Sequence, residues 1–472
     1  MRSRILSAVF LLLVINASSQ DGKMTLKQCI ETALTNNIEV KQAGLQADVA
    51  EVNLSQAKAN RLPDLNGNFG YGFNQGRNVD PLTNSYINQQ LASSNVGLSS
   101  GVILFNGMRL QNLIKQNSLT HEASKMDWQQ SKDNLTLNVI LAYLQVLSNE
   151  DILTTAKAQA DVTRKQVERM DILVKEGAMA NYLLADLKGQ LGNEEISIIS
   201  SENALQQSKL ALCQLMNIDY TSGLQLEKTD IEFPSSKYAN NAADVYQTSL
   251  QNLALIKAND LRIQSAEKGI KISQSGFYPI LSLGANLGSS YSSLAQTLTP
   301  TTITQEQTGS YVIISGNQNP VLRQQQNFSA TKTGYTKQLN NNLGTFVGFN
   351  LQVPLFNSFQ TKNRIKLSKI NLSNTKLEAN NAKIQLKQNI ENAHLNMTTS
   401  FDRYKVLTEQ VKNFEESFRA AEIRFNSGVI NSAEYLISKN NLDRTKISLA
   451  QSKYEYLFRT KLLDYFQGKQ IL

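Results

Sequence analysis

Residues 346–358 of this 472-residue chain read FVGFNLQVPLFNS, and residues 95–107 read NVGLSSGVILFNG. Both segments contain Leu-Phe-Asn, and both alternate apolar residues with small or polar ones. A second pair matches in the same way: residues 55–74 read SQAKANRLPDLNGNFGYGFN and residues 271–290 read KISQSGFYPILSLGANLGSS, with one proline in each. Because the two pairs occur in the same order in each half, the chain is predicted to be an internal duplication.

These segments predict four β-strands, at residues 62–74, 95–105, 279–290 and 346–356. In each strand, bulky apolar residues alternate with glycine, asparagine, serine or glutamine. About ten residues with this alternation are typical of a transmembrane β-strand whose apolar residues face lipid. A small β-sandwich with one solvated face is the alternative, but glycine and asparagine suit its packed core poorly. The predicted lipid face includes Phe69, Tyr71, Phe73, Leu98, Leu283, Leu287, Phe349 and Leu351.

The helical pattern indicates a wall with neighbours on both sides. Residues 107–176 and 359–427 contain no proline and predict helices about 100 Å long at 1.5 Å per residue. In the second helix, two apolar rows recur every seven residues, one starting at Ile365 and the other at Ile370. The rows lie about 140° apart around the helix, whereas a two-stranded coiled coil has one seam. The wall of a cylinder fits this pattern, and a buried helix of a large bundle is the alternative.

Each long helix is predicted to continue into a helical hairpin, over residues 107–216 and 359–466. Gly177 and Gly428 mark the hairpin tips, because glycine readily adopts the left-handed conformation that ends a helix. In the second hairpin, residues 431–434 (NSAE) fit a capping box at the start of the return helix.

Two further helices complete the duplicated pattern, at residues 24–60 and 241–276. Each ends just before a proline, which disfavours helical geometry in the preceding residue. The predicted repeats are therefore residues 24–222 and 241–467. Residues 223–240 form the linker between them, in the equatorial region.

The N-terminus has the pattern of an export signal. Arg2 and Arg4 precede an apolar run from Ile5 to Ile15, and small residues follow. This pattern predicts a secretory signal peptide over residues 1–20. The run is too short for a transmembrane helix, which needs about 20 residues; a buried N-terminal helix is the alternative.

Composition argues against several classes of function. The formal net charge is +8, but no Lys/Arg cluster marks a nucleic-acid-binding surface. His121 and His394 have no further ligand at metal-binding spacing, and no nucleophile or phosphate-loop motif occurs. We therefore expect no enzymatic activity, no cofactor and no metal site. Cys29 and Cys213 are expected to be buried thiols, although export would permit a disulfide.

Four strands cannot close a barrel, and an open sheet edge is not tolerated in lipid. The smallest transmembrane barrels have eight strands, so several copies are predicted to share one barrel, and three copies would supply twelve strands. The intervening segments, residues 75–94 and 292–344, are polar loops expected at an extracellular mouth. A periplasmic coiled-coil scaffold or adaptor without a pore is the competing class, but it does not explain the strands.

The duplicated proline-led strands, the Leu-Phe-Asn segments and the glycine-tipped hairpins together resemble the TolC-like outer-membrane efflux protein family. The sequence MTLKQCIETAL at residues 24–34, followed by Asn36 and Asn37, is also similar to that family's first-helix motif. The resemblance implies a mixed α and β membrane protein. Four transmembrane β-strands per protomer would form a 12-stranded barrel in a homotrimer, continued by a long periplasmic α-helical barrel of coiled-coil hairpins.

The resemblance also implies the function of an outer-membrane exit duct in a Gram-negative bacterium. Such a duct passively conducts substrates that an inner-membrane transporter exports through a periplasmic adaptor (membrane fusion) protein. At the tips, Arg424 would help to latch the closed duct, and Glu434 would project into the lumen. The first hairpin departs from the family pattern, and Asp186 is its candidate substitute acid. Adaptor docking would fall on Gly177, Ala178, Met179, Gly428, Val429 and Ile430.

Overall fold

The structure is a computed structural model that describes residues 23–79, 84–88, 90–220, 223–228 and 237–469. The predicted signal peptide lies outside the described residues. The helices in this part are α1 Leu26–Asn36, α2 Ile38–Ala59, α3 Arg109–Lys175, α4 Asn181–Met216, α5 Ala242–Asn252, α6 Ala254–Gln274, α7 Tyr335–Asn341, α8 Gln360–Asn426 and α9 Ser432–Phe466. The strands are β1 Asn66–Asn74, β2 Arg77–Val79, β3 Tyr86–Asn88, β4 Leu91–Phe105, β5 Ile280–Ser292, β6 Gln296–Ile314, β7 Asn317–Lys332 and β8 Gly344–Gln352.

The chain folds as two compact units, and both repeats contribute to each. The helical unit contains the described residues of the ranges 23–51, 119–264 and 373–469. The strand unit contains residues 52–118 and 265–372. Among the residues that the structure describes, no helix carries an apolar stretch long enough to cross a membrane.

The strand unit is built on one antiparallel sheet in the order β1-β4-β5-β8. The strands of the first repeat, β1 and β4, lie beside the strands of the second, β5 and β8, and the two repeats meet where β4 pairs with β5. As a result, β1 and β8 are the two edges of the sheet.

Proline explains two of the differences between the predicted and observed strand ends. The first strand was predicted from residue 62, but β1 begins at Asn66, after Pro63. The last was predicted to reach residue 356, but β8 ends at Gln352, just before the segment containing Pro354. Proline has no N–H to donate to a strand ladder. The two central strands, β4 and β5, extend beyond their predicted ranges at the end remote from these prolines.

The prediction of one helix over residues 24–60 is wrong, because the chain breaks between α1 and α2. Asn37 has extended backbone there, with φ −62° and ψ 129°. Its side-chain Oδ1 accepts hydrogen bonds from the backbone N–H groups of Glu39 (2.9 Å) and Val40 (3.3 Å). Asparagine is a favourable residue at a helix N-terminus because it satisfies these otherwise unpaired donors.

The prediction of one helix over residues 241–276 is also wrong, and the break is equivalent. Leu253 lies between α5 and α6 with φ −70° and ψ 134°. Leucine cannot cap a helix with its side chain, so its burial is the stabilising contribution here: Leu253 is part of an apolar cluster with Val245 and Ile256. The two repeats therefore share a helix break, although they stabilise it with different residues.

The start of the linker is fixed to the start of the first repeat. The backbone N–H of Met24 donates to Gln225 O at 2.9 Å, and the N–H of Glu227 donates to Met24 O at 3.0 Å. The hydroxyl of Tyr143, a fully buried residue of α3, donates to Glu227 O at 2.5 Å. Within the predicted linker 223–240, residues 229–236 lie outside the described part.

Cys29 on α1 and Cys213 on α4 are buried in one apolar cluster of the helical unit, with no disulfide between them. Burial raises the pKa of Cys29 to about 12, and the neighbouring Cys213 adds to this rise. The thiol form is therefore favoured at neutral pH. The expectation of two buried thiols is confirmed.

The segments predicted as loops contain regular structure. In residues 75–94, the short strands β2 and β3 pair with each other. In residues 292–344, β6 and β7 form a long two-stranded hairpin, and α7 follows it. The prediction of a long loop at 292–344 is therefore wrong. This segment forms an extended β-hairpin with a short helix at its base.

Candidate functional site: the sheet faces and the hairpin tips

The register of the sheet separates apolar and small residues onto opposite faces. Residues directly opposite in an antiparallel ladder lie on the same face. Phe69 pairs with Val96, Leu98 pairs with Leu287, and Leu283 pairs with Phe349. Together with the alternation along each strand, this register places on one face Phe69, Tyr71, Phe73, Val96, Leu98, Val102, Leu281, Leu283, Leu287, Val347, Phe349 and Leu351.

The opposite face carries glycine, asparagine and serine in rows that cross the sheet. One row runs from Gly101 through Gly284 to Gly348, and another contains Asn66, Ser99 and Asn286. Four bulky residues are exceptions on this face: Leu91, Ile103, Ile280 and Phe346, which pair with Asn74, Ser282, Gln352 and Asn286.

The ring of Phe346 lies close over Gly348. A Cβ atom at this position would approach Phe346 Cζ to 2.6 Å. The phenylalanine ring therefore covers the space above an edge-strand glycine, an arrangement that protects a weak strand position.

The outer sides of the two edge strands have no strand partner in the part of the chain that the structure describes. β1 pairs only with β4, and β8 pairs only with β5, among the described residues. Each edge strand is nine residues long. Every second residue directs its backbone N–H and C=O to the outer side, where they have no strand partner.

Helix α8 likewise has one covered and one uncovered apolar row. In the first predicted row, Ala379 and Leu386 are 3% and 4% exposed. In the second, Leu377 and Ile384 are 69% and 48% exposed. One apolar row of this helix is thus covered by the chain's own residues, and the other is left uncovered by the residues that the structure describes.

The two hairpin tips have the same backbone turn. In the first, Gly177 has φ 72°, and the N–H of Ala178 donates to Leu173 O at 2.9 Å. In the second, Gly428 has φ 73°, and the N–H of Val429 donates to Arg424 O at 2.9 Å. These bonds satisfy the last helical carbonyls in the manner of a Schellman motif, which favours glycine at the left-handed position.

Of the six predicted docking residues, two turn inward and four remain accessible. Met179 and Ile430 are partly buried against an apolar cluster beneath the tips, in which the rings of Phe425 and Tyr435 stack with centroids 4.6 Å apart. The exposed positions are Gly177, Ala178, Gly428 and Val429.

The three predicted charged residues have different environments. Asp186 accepts a hydrogen bond from the Ser432 hydroxyl at 2.7 Å, which joins α4 to the first turn of α9. Glu434 is exposed, and its backbone N–H donates to Asn431 Oδ1 at 2.9 Å, one of the two bonds of the predicted capping box. Arg424 is exposed on the last turn of α8.

A buried charged network near the tips was missed from the sequence. Lys439 Nζ on α9 lies 2.8 Å from Glu194 Oε1 on α4 and 2.7 Å from Asp443 Oδ2. The Lys439 side chain is 2% exposed. Gln190 extends the network by donating to Glu194 Oε1 at 2.8 Å. The signal was a lysine between the apolar Tyr435 and Leu442 on one helix face.

Burial changes the acidity of two groups in this network. It raises the pKa of Asp443, and the neighbouring Glu194 carboxylate adds to this effect, while Lys439 opposes it. Burial also raises the pKa of the Tyr435 hydroxyl, with contributions from the carboxylates of Glu422 and Glu194. The cluster holds more carboxylates than lysines, so removing Lys439 would leave uncompensated buried negative charge.

A sheet that presents one apolar face and two unpaired edges, in a chain whose long helices end in matched tips, defines an outer-membrane channel protein. The sequence model of the outer membrane efflux protein family matches residues 29–217 and 245–461, and the chain belongs to this family. The two matched ranges fall in the first and second repeats. The predicted family, the α and β channel fold and the location in the Gram-negative outer membrane are confirmed.

Individual proteins of known identity agree with this assignment. Outer membrane protein TolC of Salmonella enteritidis is 21% identical over 445 residues, covering 94% of this chain and 82% of TolC. The pyoverdine export outer membrane protein OpmQ of Pseudomonas putida is 23% identical over 278 residues, covering 57% of this chain and 58% of OpmQ. The crystal structure of VceC from Vibrio cholerae has a TM-score of 0.72 at 15% identity, covering 95% of this chain and 97% of VceC.

The substitution Lys439→Met is expected to destabilise the helical unit by about 3–5 kcal/mol, because it leaves Glu194 buried without its partner. Replacing the lysine together with both of its carboxylate partners, as Lys439→Met with Glu194→Gln and Asp443→Asn, should restore most of the loss. Urea unfolding followed by circular dichroism of the detergent-solubilised protein measures the change.

The matched control is Lys165→Met. Lys165 Nζ lies 2.8 Å from Asp161 Oδ2, but its side chain is 72% exposed, so little change is expected. Equal unfolding midpoints for Lys439→Met and the unmodified protein would contradict the assigned importance of the buried network.

Proposed function

We propose that the chain is one protomer of a trimeric exit duct that passively conducts substrates across the outer membrane. The observation that carries this proposal is the four-stranded sheet with one apolar face and two open edges. Lipid cannot satisfy unpaired backbone groups, so a sheet in the membrane must close into a barrel. Three copies would supply twelve strands, with β8 of each copy pairing with β1 of the next.

The uncovered helical seam supports the same assembly. Leu377 and Ile384 on α8 are exposed in a single chain, and a row of exposed apolar residues marks a contact surface. In α2, Leu45 and Val49 form another exposed apolar pair one turn apart. Packing such seams between copies would build a helical wall that continues the duct into the periplasm.

The two sheet faces have different roles in this duct. The face with Phe69, Leu98, Leu283 and Phe349 would contact lipid, because its large side chains are apolar or aromatic and only small polar residues, such as Ser100 and Ser289, lie among them. The glycine, asparagine and serine face would line the lumen. Small and polar residues there leave room for water, whereas bulky residues would fill it.

This orientation is tested with Phe349→Arg and Asn350→Arg, adjacent positions on opposite faces of β8. Arginine on the lipid face costs about 2–4 kcal/mol near the bilayer midplane, so Phe349→Arg should reduce the amount of assembled protein in isolated outer membranes. Asn350→Arg should assemble at the unmodified level, because its side chain would point into water. Equal assembly of both variants, or loss only with Asn350→Arg, would refute the orientation.

The hairpin tips are the proposed contact with a periplasmic adaptor, which would connect the duct to an inner-membrane transporter. The exposed Gly177, Ala178, Gly428 and Val429 are small or apolar, which permits close approach of a partner helix. Met179 and Ile430 would hold the tip conformation from below through their apolar contacts.

The charged tip residues are the proposed gate. The Ser432–Asp186 hydrogen bond would hold α9 against α4 within one protomer while the duct is closed. Glu434 would contribute a ring of three carboxylates to the narrowed lumen and attract cations, in addition to the capping role of its backbone. Arg424 would latch the closed tip to a neighbouring copy.

Gly428→Val should abolish efflux while the trimer still assembles, because a branched side chain would obstruct the docking surface. Accumulation of a fluorescent dye in cells measures efflux, and size-exclusion chromatography measures assembly. Gly428→Ala is the matched control. It introduces a left-handed backbone strain of about 1–2 kcal/mol, less than that of the β-branched valine, without the bulk, and should retain most efflux. Full efflux by an assembled Gly428→Val trimer would exclude this tip as the docking site.

A further inference from the structure

The hairpin formed by β6 and β7 is the largest feature that the duct does not explain. Its strands pair from Gln296↔Lys332 to Ile314↔Asn317. At about 3.4 Å per residue, the 16 residues of β7 extend about 50 Å. The connecting residues Ser315 and Gly316 have φ 53° and 81°, the two positive values of a type I′ turn.

The base of this hairpin is firmly attached to the sheet. Gln338 on α7 is buried; its Nε2 donates to Thr333 O at 2.7 Å, and its Oε1 accepts from Ser292 N at 3.0 Å. The Thr297 and Thr333 hydroxyls are hydrogen-bonded at 2.7 Å. The base of the hairpin is therefore held to the end of β5.

The register gives the hairpin two unlike faces. Residues opposite in the ladder share a face. One face is polar along most of its length and carries a hydrogen-bonded cluster in which Asn327 Nδ2 donates to Thr304 Oγ1 at 3.0 Å. The other, here called the apolar hairpin face, contains Leu298, Pro300, Phe328, Ile303, Leu322, Tyr311, Pro320 and Ile313.

The apolar hairpin face is uncovered in the single chain. Its large members, including Ile303, Tyr311 and Ile313, are all exposed. A glutamine belt crosses its middle, formed by Gln305, Gln307, Gln324 and Gln326. A lone two-stranded hairpin is at best marginally stable in water, so a hairpin of this length needs a partner on this face.

Charge favours another copy of the chain over a lipid surface as that partner. Between residues 296 and 332, the charged residues are Glu306, Arg323 and Lys332, and Glu306 lies opposite Arg323 in the ladder. Anionic lipid surfaces attract clustered lysine and arginine, which this hairpin lacks. Nearly uncharged hairpins, by contrast, can approach one another without repulsion.

The threefold symmetry of the proposed trimer determines how the three hairpins could be arranged. We propose that the three β6–β7 hairpins of the assembled trimer pair edge to edge, β6 of one copy with β7 of the next, and turn the apolar hairpin faces toward the common axis. This inference rests on the proposed trimeric duct. A head-to-tail contact repeated by a threefold axis closes into a ring, and closure removes every open edge. The result is a six-stranded collar with the glutamine belt inside.

The collar would narrow the exit of the duct. Eight strands already give a barrel interior that side chains can fill, so six strands enclose less space than the twelve-stranded barrel. Glutamine amides both donate and accept hydrogen bonds, so the belts of three copies can bond to one another across the axis.

The test uses Ile303→Cys on the apolar hairpin face and Thr304→Cys, its neighbour on the polar face. Both side chains are exposed in the single chain, and native Cys29 and Cys213 are buried. Purified trimers are treated with a short bis-maleimide and separated on denaturing gels. Ile303→Cys should give covalent dimers and trimers, whereas Thr304→Cys should remain monomeric. The absence of Ile303→Cys cross-links in an intact trimer would overturn the collar, whether lipid or another protein covers the face.

A second measurement tests the proposed collar independently of the proposed duct. To release the proposed tip latch, Arg424→Ala is introduced into both proteins compared. A variant with residues 297–331 replaced by a short Gly-Ser linker should then form trimers with larger single-channel conductance in planar bilayers than the protein that retains these residues. Unchanged conductance would overturn the collar and leave the duct intact. If the unmodified protein forms neither trimers nor channels, the proposed function itself fails.

Discussion

The proposed assembly depends on one constraint: the backbone N–H and C=O groups at the edge of a sheet need hydrogen-bond partners when the sheet lies in lipid. Each unpaired N–H or C=O costs several kcal/mol in hydrocarbon, and this chain ends its sheet in two edges of nine residues. The apolar face of the sheet favours insertion into the membrane. The unpaired edges, however, make insertion of a single chain strongly unfavourable. In the proposed duct, the two requirements together make association the condition for function.

The two repeats share the same backbone turns and helix breaks, but the side chains around them differ. Both hairpins end in a left-handed glycine with the same pair of backbone hydrogen bonds, and both N-terminal helices of the repeats break once. The side chains around these shared backbones differ. Asp186 of the first repeat bonds to Ser432 of the second, and Glu194 of the first pairs with Lys439 of the second. The repeats are thus tied to each other near the tips by polar contacts that neither contains alone.

The features that sequence predicts well are those set by a short period. Alternation of Phe69, Tyr71 and Phe73 with glycine fixes which residues share a sheet face, because a strand has period two. Glycine at positions 177 and 428 identifies the tips for a similar reason, since few residues adopt a positive φ. These local rules were enough to predict the order of the four strands of the main sheet and of the two helical hairpins.

Features set by tertiary contacts were not predictable in this way. The break at Leu253 has no glycine or proline, and burial in an apolar cluster stabilises it. Lys439 looks like a surface residue until its neighbour on α4 is known. The long hairpin did carry a signal, a Ser-Gly pair between the apolar runs YVII and PVL, but its polar composition favoured a loop.

The most direct measurement is the mass of the intact particle released from detergent in a native mass spectrometer. If neighbouring copies complete the sheet, every folded particle contains three chains, and dissociation into single chains coincides with loss of strand structure. A stable, folded particle that contains one chain would contradict the requirement for shared edges, and the proposed duct would fail with it.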